Sequence, residues 1–83
     1  MPRKPRVKVE HKKIGHFQAD GLAYKEERRI VLDVRLTGKA YLITAIHELL
    51  HVHRPKLTEK EVTNLSTAIG NDLWSLGIRK IAD

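Results

Sequence analysis

The run Ile46-His47-Glu48-Leu49-Leu50-His51 gathers two imidazoles and a carboxylate in one short stretch. His47 and His51 stand four positions apart. On a helix that spacing puts two side chains on one face, with Cβ atoms about 5–6 Å apart. Two imidazoles so placed can converge on one metal ion at about 2.0–2.1 Å each. Glu48, beside the first histidine, is then positioned to take a proton from water and return it to a leaving amine. The pattern H-E-x-x-H on a helix therefore points to metal-assisted amide hydrolysis. The same letters also describe an exposed polar helix face that holds no ion, so context has to decide.

The context begins with the helix that must carry the motif. Thr37-Gly38 punctuates the chain, and Thr37 is placed to cap a helix over about 39–53. Leu42, Ile43, Ile46, Leu49 and Leu50 form its apolar stripe, which leaves both histidines outside the expected core. Pro55 stops this helix, since the residue before a proline is biased away from helical geometry. A second helix is expected over about 59–76. Thr58 with Glu61 spells a capping box, flanked by Leu57 and Val62 as a hydrophobic staple. Its expected core stripe runs through Val62, Leu65, Ile69, Leu73 and Leu76, and Gly77 is suited to end it in a left-handed conformation. Gly70, costly inside a helix, marks a close approach between the two helices. The short link between them predicts antiparallel neighbours.

Upstream, the pattern is that of strands. Ile30, Leu32 and Val34 alternate with Val31, Asp33 and Arg35. With Leu22-Ala23-Tyr24 this segment predicts an antiparallel hairpin. Val7 and Val9 alternate with Lys8 and Glu10 as a further short strand; Ile14-Gly15-His16-Phe17 extends the region, with Asp20-Gly21 as a turn or bulge. The expected fold class is α+β: a small antiparallel sheet of two to three strands within about 7–35, followed by an antiparallel helical hairpin. Residues 1–6, with Pro2 and Pro5, read as a flexible basic arm, and 7–83 as a single domain.

Composition narrows the function classes. A chain of 83 residues buries a modest fraction of its surface and gains from a staple. With no cysteine, that staple is neither a disulfide nor a thiolate metal site; a His/carboxylate site remains open. Lys+Arg number 16 against 10 Asp+Glu, and the excess is concentrated early, in Arg3, Lys4, Arg6, Lys8, Lys12 and Lys13. These residues are candidates for contacting nucleic-acid phosphates, or they form a solvated terminus. No segment approaches the roughly 20 apolar residues that span a bilayer, and the N-terminus lacks the apolar core of a signal peptide. A cytoplasmic protein is expected, or one in the host cytoplasm if phage-encoded.

The span from Arg29 to Gly77 resembles zincin-like metallopeptidases. It is most similar to very small phage and bacterial forms, and more distantly to gluzincin, ImmA/IrrE-type and SprT-type domains. The matching residues are the strand Ile30-Val31-Leu32-Asp33, the helix with His47-Glu48-Leu49-Leu50-His51, and Pro55-Lys56-Leu57-Thr58-Glu59 opening a helix that ends Leu73-Trp74-Ser75-Leu76-Gly77. The resemblance implies Zn²⁺ held by His47 and His51, Glu48 as catalytic base, and a strand edge along which a peptide can lie. The metzincin extension is absent: Arg54 stands where its glycine would be and Leu57 where its third histidine would be. A gluzincin-like arrangement draws a third ligand from the following helix. Glu61 and Glu59 are the candidates, each about 80° from the centre of the core stripe; depth along the hairpin favours Glu61, with His53 as a further alternative.

Other residues complete the expectations. His11 and His16 are placed to reach the site from the sheet, Tyr24 and Tyr41 to donate to a developing oxyanion, and Asp72 to stand three turns from Glu61. Asp33 and Arg35 share one strand face and are expected to pair or to cap, with no catalytic role. Trp74 is expected to pack on the sheet or on the C-terminal segment Ile78–Ile81. The leading functional expectation is a zinc-dependent peptidase. Its alternatives are a catalytically inactive zinc-stabilised binding or regulatory module, and a DNA-associated protein using the basic arm. Expected partners are a peptide or protein substrate, nucleic acid, further copies of the chain, and no membrane.

Overall fold

The computed structural model describes residues 6–14 and 20–79. Arg3, Lys4, Gly15, His16, Phe17 and Ile81 lie outside them. The element order is β1 (Lys8–Lys12), β2 (Gly21–Tyr24), β3 (Arg29–Asp33), α1 (Gly38–His53) and α2 (Glu59–Ser75). The class is α+β, a small three-stranded sheet followed by two helices. No helix among the described residues is long and apolar enough to cross a membrane.

The sheet corrects one expectation: it is mixed, in the order β1-β3-β2. The hairpin forms as expected, with Gly21 opposite Leu32 and Tyr24 opposite Arg29. β1, however, pairs parallel to β3, Lys8 opposite Arg29 and Lys12 opposite Asp33. β1 and β2 flank β3 on opposite sides, so the β2–β3 hairpin fixes the direction of β2 and leaves that of β1 open. Alternation reports which face a residue takes and is silent on neighbour and direction. Val34 lies beyond β3 and is exposed.

Both sheet faces are covered near β3. Ile30 and Leu32 face α1 and form the core with Val52, with Val7, Ala23, Tyr41, Ala45 and Leu49 packed around them. Val31 and Ile14 are buried as well. Asp33, also buried, accepts from the Ile14 backbone N–H at 3.2 Å, from the Arg35 backbone N–H and Nε at 2.9 Å, and from Arg35 Nη2 at 2.7 Å. The Arg35 side chain, then its backbone N–H, hold this carboxyl well below the usual carboxylate range.

α1 is the middle layer. It contacts β2, β3 and α2, and among the described elements α2 contacts α1 alone. This explains a departure from the expected stripe. The buried residues of α1 are Glu48 and Val52, whereas Leu42, Ile43, Ile46, Leu49 and Leu50 are half-buried on a helix covered from two sides. Thr37 occupies the N-cap position, but its side chain makes no capping hydrogen bond.

α2 buries Val62, Ser66 and Gly70, a face rotated from the expected stripe. Leu65, Ile69 and Leu76 are 42%, 38% and 75% exposed. Small residues set this choice: a Cβ on Gly70 would overlap Ile43 Cγ1 and stand 3.4 Å from Ile43 Cα, so the backbones meet where no side chain intervenes. The pairings Gly38 with Trp74, Ile43 with Gly70, and His51 with Glu59 make the helices antiparallel. Gly77, at φ +88°, closes α2 as expected; Gly77 N–H donates to Trp74 O and Ile78 N–H to Leu73 O, each at 3.0 Å. Trp74 packs at Gly38 and under Arg79, whose guanidinium sits 3.5 Å from the ring centroid. The C-terminal segment, not the sheet, covers it.

Gly70→Ala should destabilise the protein by about 1–3 kcal/mol through overpacking, although alanine gains roughly 1 kcal/mol in helix propensity. Ile43→Ala in that background should recover part of the loss. Urea midpoints decide this; a more stable Gly70→Ala protein would mean the helices do not approach there. Asp33 supplies a second expectation, through pH. A carboxyl whose folded pKa is depressed stabilises fully above its unfolded value of about 3.9. That stabilisation is lost as the pH falls toward the folded value. The stability gap between wild type and Asp33→Asn should therefore be largest at neutral pH and narrow below pH about 4; a constant gap would exclude Asp33 as the titrating group.

Candidate metal centre

The site forms on α1, which faces α2 on one side and β2 on the other. α1 presents His47 and His51 one above the other, with ring centroids 4.9 Å apart. The link 54–58 returns the chain and starts α2 at Glu59, directly across from them. His47 Nε2 lies 2.7 Å from Glu59 Oε1, and His51 Nε2 lies 3.1 Å from Glu59 Oε2. One ligand atom from each residue falls within 4.8 Å of the others. A tetrahedral ion with bonds of about 2.0–2.1 Å holds its ligand atoms about 3.3 Å apart. The two nitrogen–oxygen separations fall a little short of that spacing, and no two of the three ligand atoms are more than 4.8 Å apart. Two imidazoles and a carboxylate are also a ligand set that zinc takes at hydrolytic sites. Burial lowers the pKa of His51, opposed by Glu59, which favours the neutral imidazole that ligates.

The carboxylate brought to the histidines is that of Glu59, not the favoured Glu61. Glu61 is held in the capping box: Glu61 Oε1 accepts from Thr58 N–H at 2.9 Å, and Thr58 Oγ accepts from Glu61 N–H at 3.1 Å. Those bonds pull the side chain back over the helix start, whereas Glu59, the first helical residue, reaches across to α1. His53 is exposed at the end of α1 and is not part of the cluster. Asp72 is exposed near the far end of α2.

Glu48 faces the sheet. It is only 8% exposed, and its side chain packs against Gly21 of β2. A Cβ on Gly21 would stand 2.9 Å from Glu48 Cγ, 3.0 Å from its Oε2 and 3.1 Å from Thr44 Cγ2. Glycine is needed for space here, since Gly21 is not among the residues with positive φ. Burial raises the Glu48 pKa first; His47 lowers it and Glu59 raises it further. A carboxyl kept ready to hold a proton is what a general base requires.

Gly21 and Ala23 of β2, with His47, Glu48, His51 and Glu59, line an open cleft of ≈ 320 Å³, and Lys25 stands at its rim. Among the described residues β2 pairs with β3 alone, so its other edge carries no strand there. Asp33 N–H donates to Asp20 O at 2.9 Å. By the alternation of antiparallel ladders, Leu22 and Tyr24 then bond to β3, while Gly21 and Ala23 direct their backbone groups to the other edge.

The remaining candidates lie elsewhere. His11 Nε2 is 2.7 Å from the Tyr41 hydroxyl, and the rings stack on the β1 side of α1. Tyr24 lies under the Arg29 guanidinium, 4.0 Å from the ring centroid. Arg6, Lys8, Lys12 and Lys13 are exposed, and Lys12 stands 3.9 Å from Glu10. Sequence reasoning missed Gly21 and Lys25. A glycine within a strand pattern signals close backbone approach, but Asp20-Gly21 also spells a turn. No family model, curated protein or solved structure matches this chain.

Elemental analysis tests the ligand assignment. Wild type and Glu61→Ala should each retain one equivalent of zinc, the latter with a lower melting temperature from the lost cap. His47→Ala, His51→Ala and Glu59→Ala should weaken zinc binding by more than the roughly 10–100-fold cost of losing a ligand's outer hydrogen-bond partner. Zinc lost in Glu61→Ala but kept in Glu59→Ala would reverse the assignment.

Proposed function

We propose that this protein is a minimal zinc-dependent peptidase acting on an extended peptide segment. The observation that carries this reading is the convergence of both histidine Nε2 atoms on the Glu59 carboxylate, with buried Glu48 beside them and alongside a strand edge that no other described strand covers. His47, His51 and Glu59 would hold the ion. When bound, zinc supplies Lewis acidity, lowering the pKa of water and polarising a carbonyl.

The chain's own residues do the rest. The backbone groups of Gly21 and Ala23 bind a peptide as an added strand, which fixes its amide planes against the cleft. The Glu48 carboxylate accepts a proton from the attacking water and delivers it to the departing amine nitrogen. Its contact with Gly21 fixes the carboxylate relative to the strand edge, so base and substrate share one reference point. Neither His11 nor Tyr41 enters this scheme, because they are engaged with each other.

Glu48→Gln separates catalysis from structure. The variant should keep its zinc and its fold and lose roughly 10²–10⁴-fold in peptide hydrolysis, measured on quenched fluorescent peptide mixtures. Gly21→Ala should also keep zinc and lose activity, because the added methyl displaces the carboxylate. Hydrolysis unchanged in Glu48→Gln would sink the mechanism. Zinc-dependent thermal stabilisation with no hydrolysis in wild type would favour a zinc-stapled binding module.

A further inference from the structure

The cleft contains one group that neither the metal nor the proton transfer uses. Lys25 follows β2 directly and lines the cleft together with Gly21 and Ala23 of that strand. It shares the cleft with His51, whereas Gly21 also lines the neighbouring hollow with Thr44 and Glu48, which neither Lys25 nor His51 reaches. Its backbone is fixed, because Lys25 O accepts from Arg28 N–H at 3.2 Å to close the hairpin turn.

Its charge is uncommitted. Glu27 is bound by Arg29, at 2.8 and 3.0 Å, and Glu10 by the same arginine at 2.7 Å. Glu59 is taken by the two histidines and Glu48 is packed on Gly21. Among the described residues no carboxylate lies within ion-pair distance of the Lys25 ammonium. An exposed lysine is ordinarily just a solvated charge. This one stands at the mouth of a cleft beside the edge strand β2.

We propose that Lys25 is a specificity-determining residue, selecting peptide strands that carry an acidic side chain on the N-terminal side of the bond presented to the His47/His51/Glu59 cluster. The direction follows from β2. The strand runs from Glu48 toward His51, and antiparallel pairing is the commoner and slightly stronger mode. A peptide added antiparallel therefore passes Lys25 first and Gly21 last. Opposite charges facing one another across two strands attract, and like charges repel. The inference rests on the peptide-binding reading of the cleft.

The test uses full-length Glu48→Gln protein, which holds peptide without turnover, with zinc added or chelated. Short fluorescein-labelled Val/Thr/Ala peptides carry one Glu, Gln or Lys toward either end, and anisotropy reports affinity. The Glu peptide, substituted on the N-terminal side, should bind about fivefold tighter than its Gln counterpart at low salt, and the Lys peptide more weakly. Added salt should shrink the preference. Lys25→Glu should invert the order; Lys39→Glu, the same change in net charge outside the cleft, should not. Peptides bound without regard to charge, a preference confined to the C-terminal side, or no peptide binding would each overturn the role of Lys25, even with zinc bound. Charge selection that inverts in Lys25→Glu, in a protein that takes up no zinc, would uphold Lys25 and remove the metal.

Discussion

The approach of α1 to the bare backbone of Gly21 is the contact on which the rest of the arrangement depends. It brings a helix carrying two histidines and a carboxylate against the edge strand β2 of the described sheet, close enough that no Cβ fits between. Glu48 is thereby buried at the cost of partial desolvation, which raises its pKa. A helix interested only in packing would place an apolar residue there. The chain instead keeps a carboxyl there, one turn before Val52, which packs with Ile30 and Leu32.

The second helix completes the site through an equally close contact. Gly70 lets α2 settle onto Ile43, and Ser66, whose hydroxyl donates to Thr63 O at 3.1 Å, keeps the interface narrow between Gly70 and Val62. With the helices this near, the first residue of α2 reaches the histidines of α1. The capping box takes Glu61 out of contention and leaves Glu59 free to cross. Local helix chemistry thus decides which of two nearby glutamates joins the cluster.

Support from the sheet is similarly layered. Asp33, at the end of β3, ties the Ile14 backbone and Arg35 together, while Arg29 binds Glu10 across from β1 and lies over Tyr24 of β2. These links hold β3 to both of its neighbours, and so hold β2 in place beside α1. A domain this small has few other means of keeping a sheet edge rigid, and its apolar core centres on Ile30, Leu32 and Val52.

The sequence by itself determined what local chemistry controls. The hairpin, both helix spans, the capping box at Thr58 and Glu61, the left-handed Gly77, the Asp33–Arg35 pair and the shared face of His47 and His51 were all legible. Each depends on residues close in the chain, where periodicity and side-chain reach suffice. Tertiary structure alone decided the parallel pairing of β1 with β3, the burial of Ser66 in place of Leu65, the choice of Glu59, and the meeting of Glu48 with Gly21. These depend on how closely separate elements approach. That distance is set by glycines and small residues on surfaces that only the packed layers bring face to face.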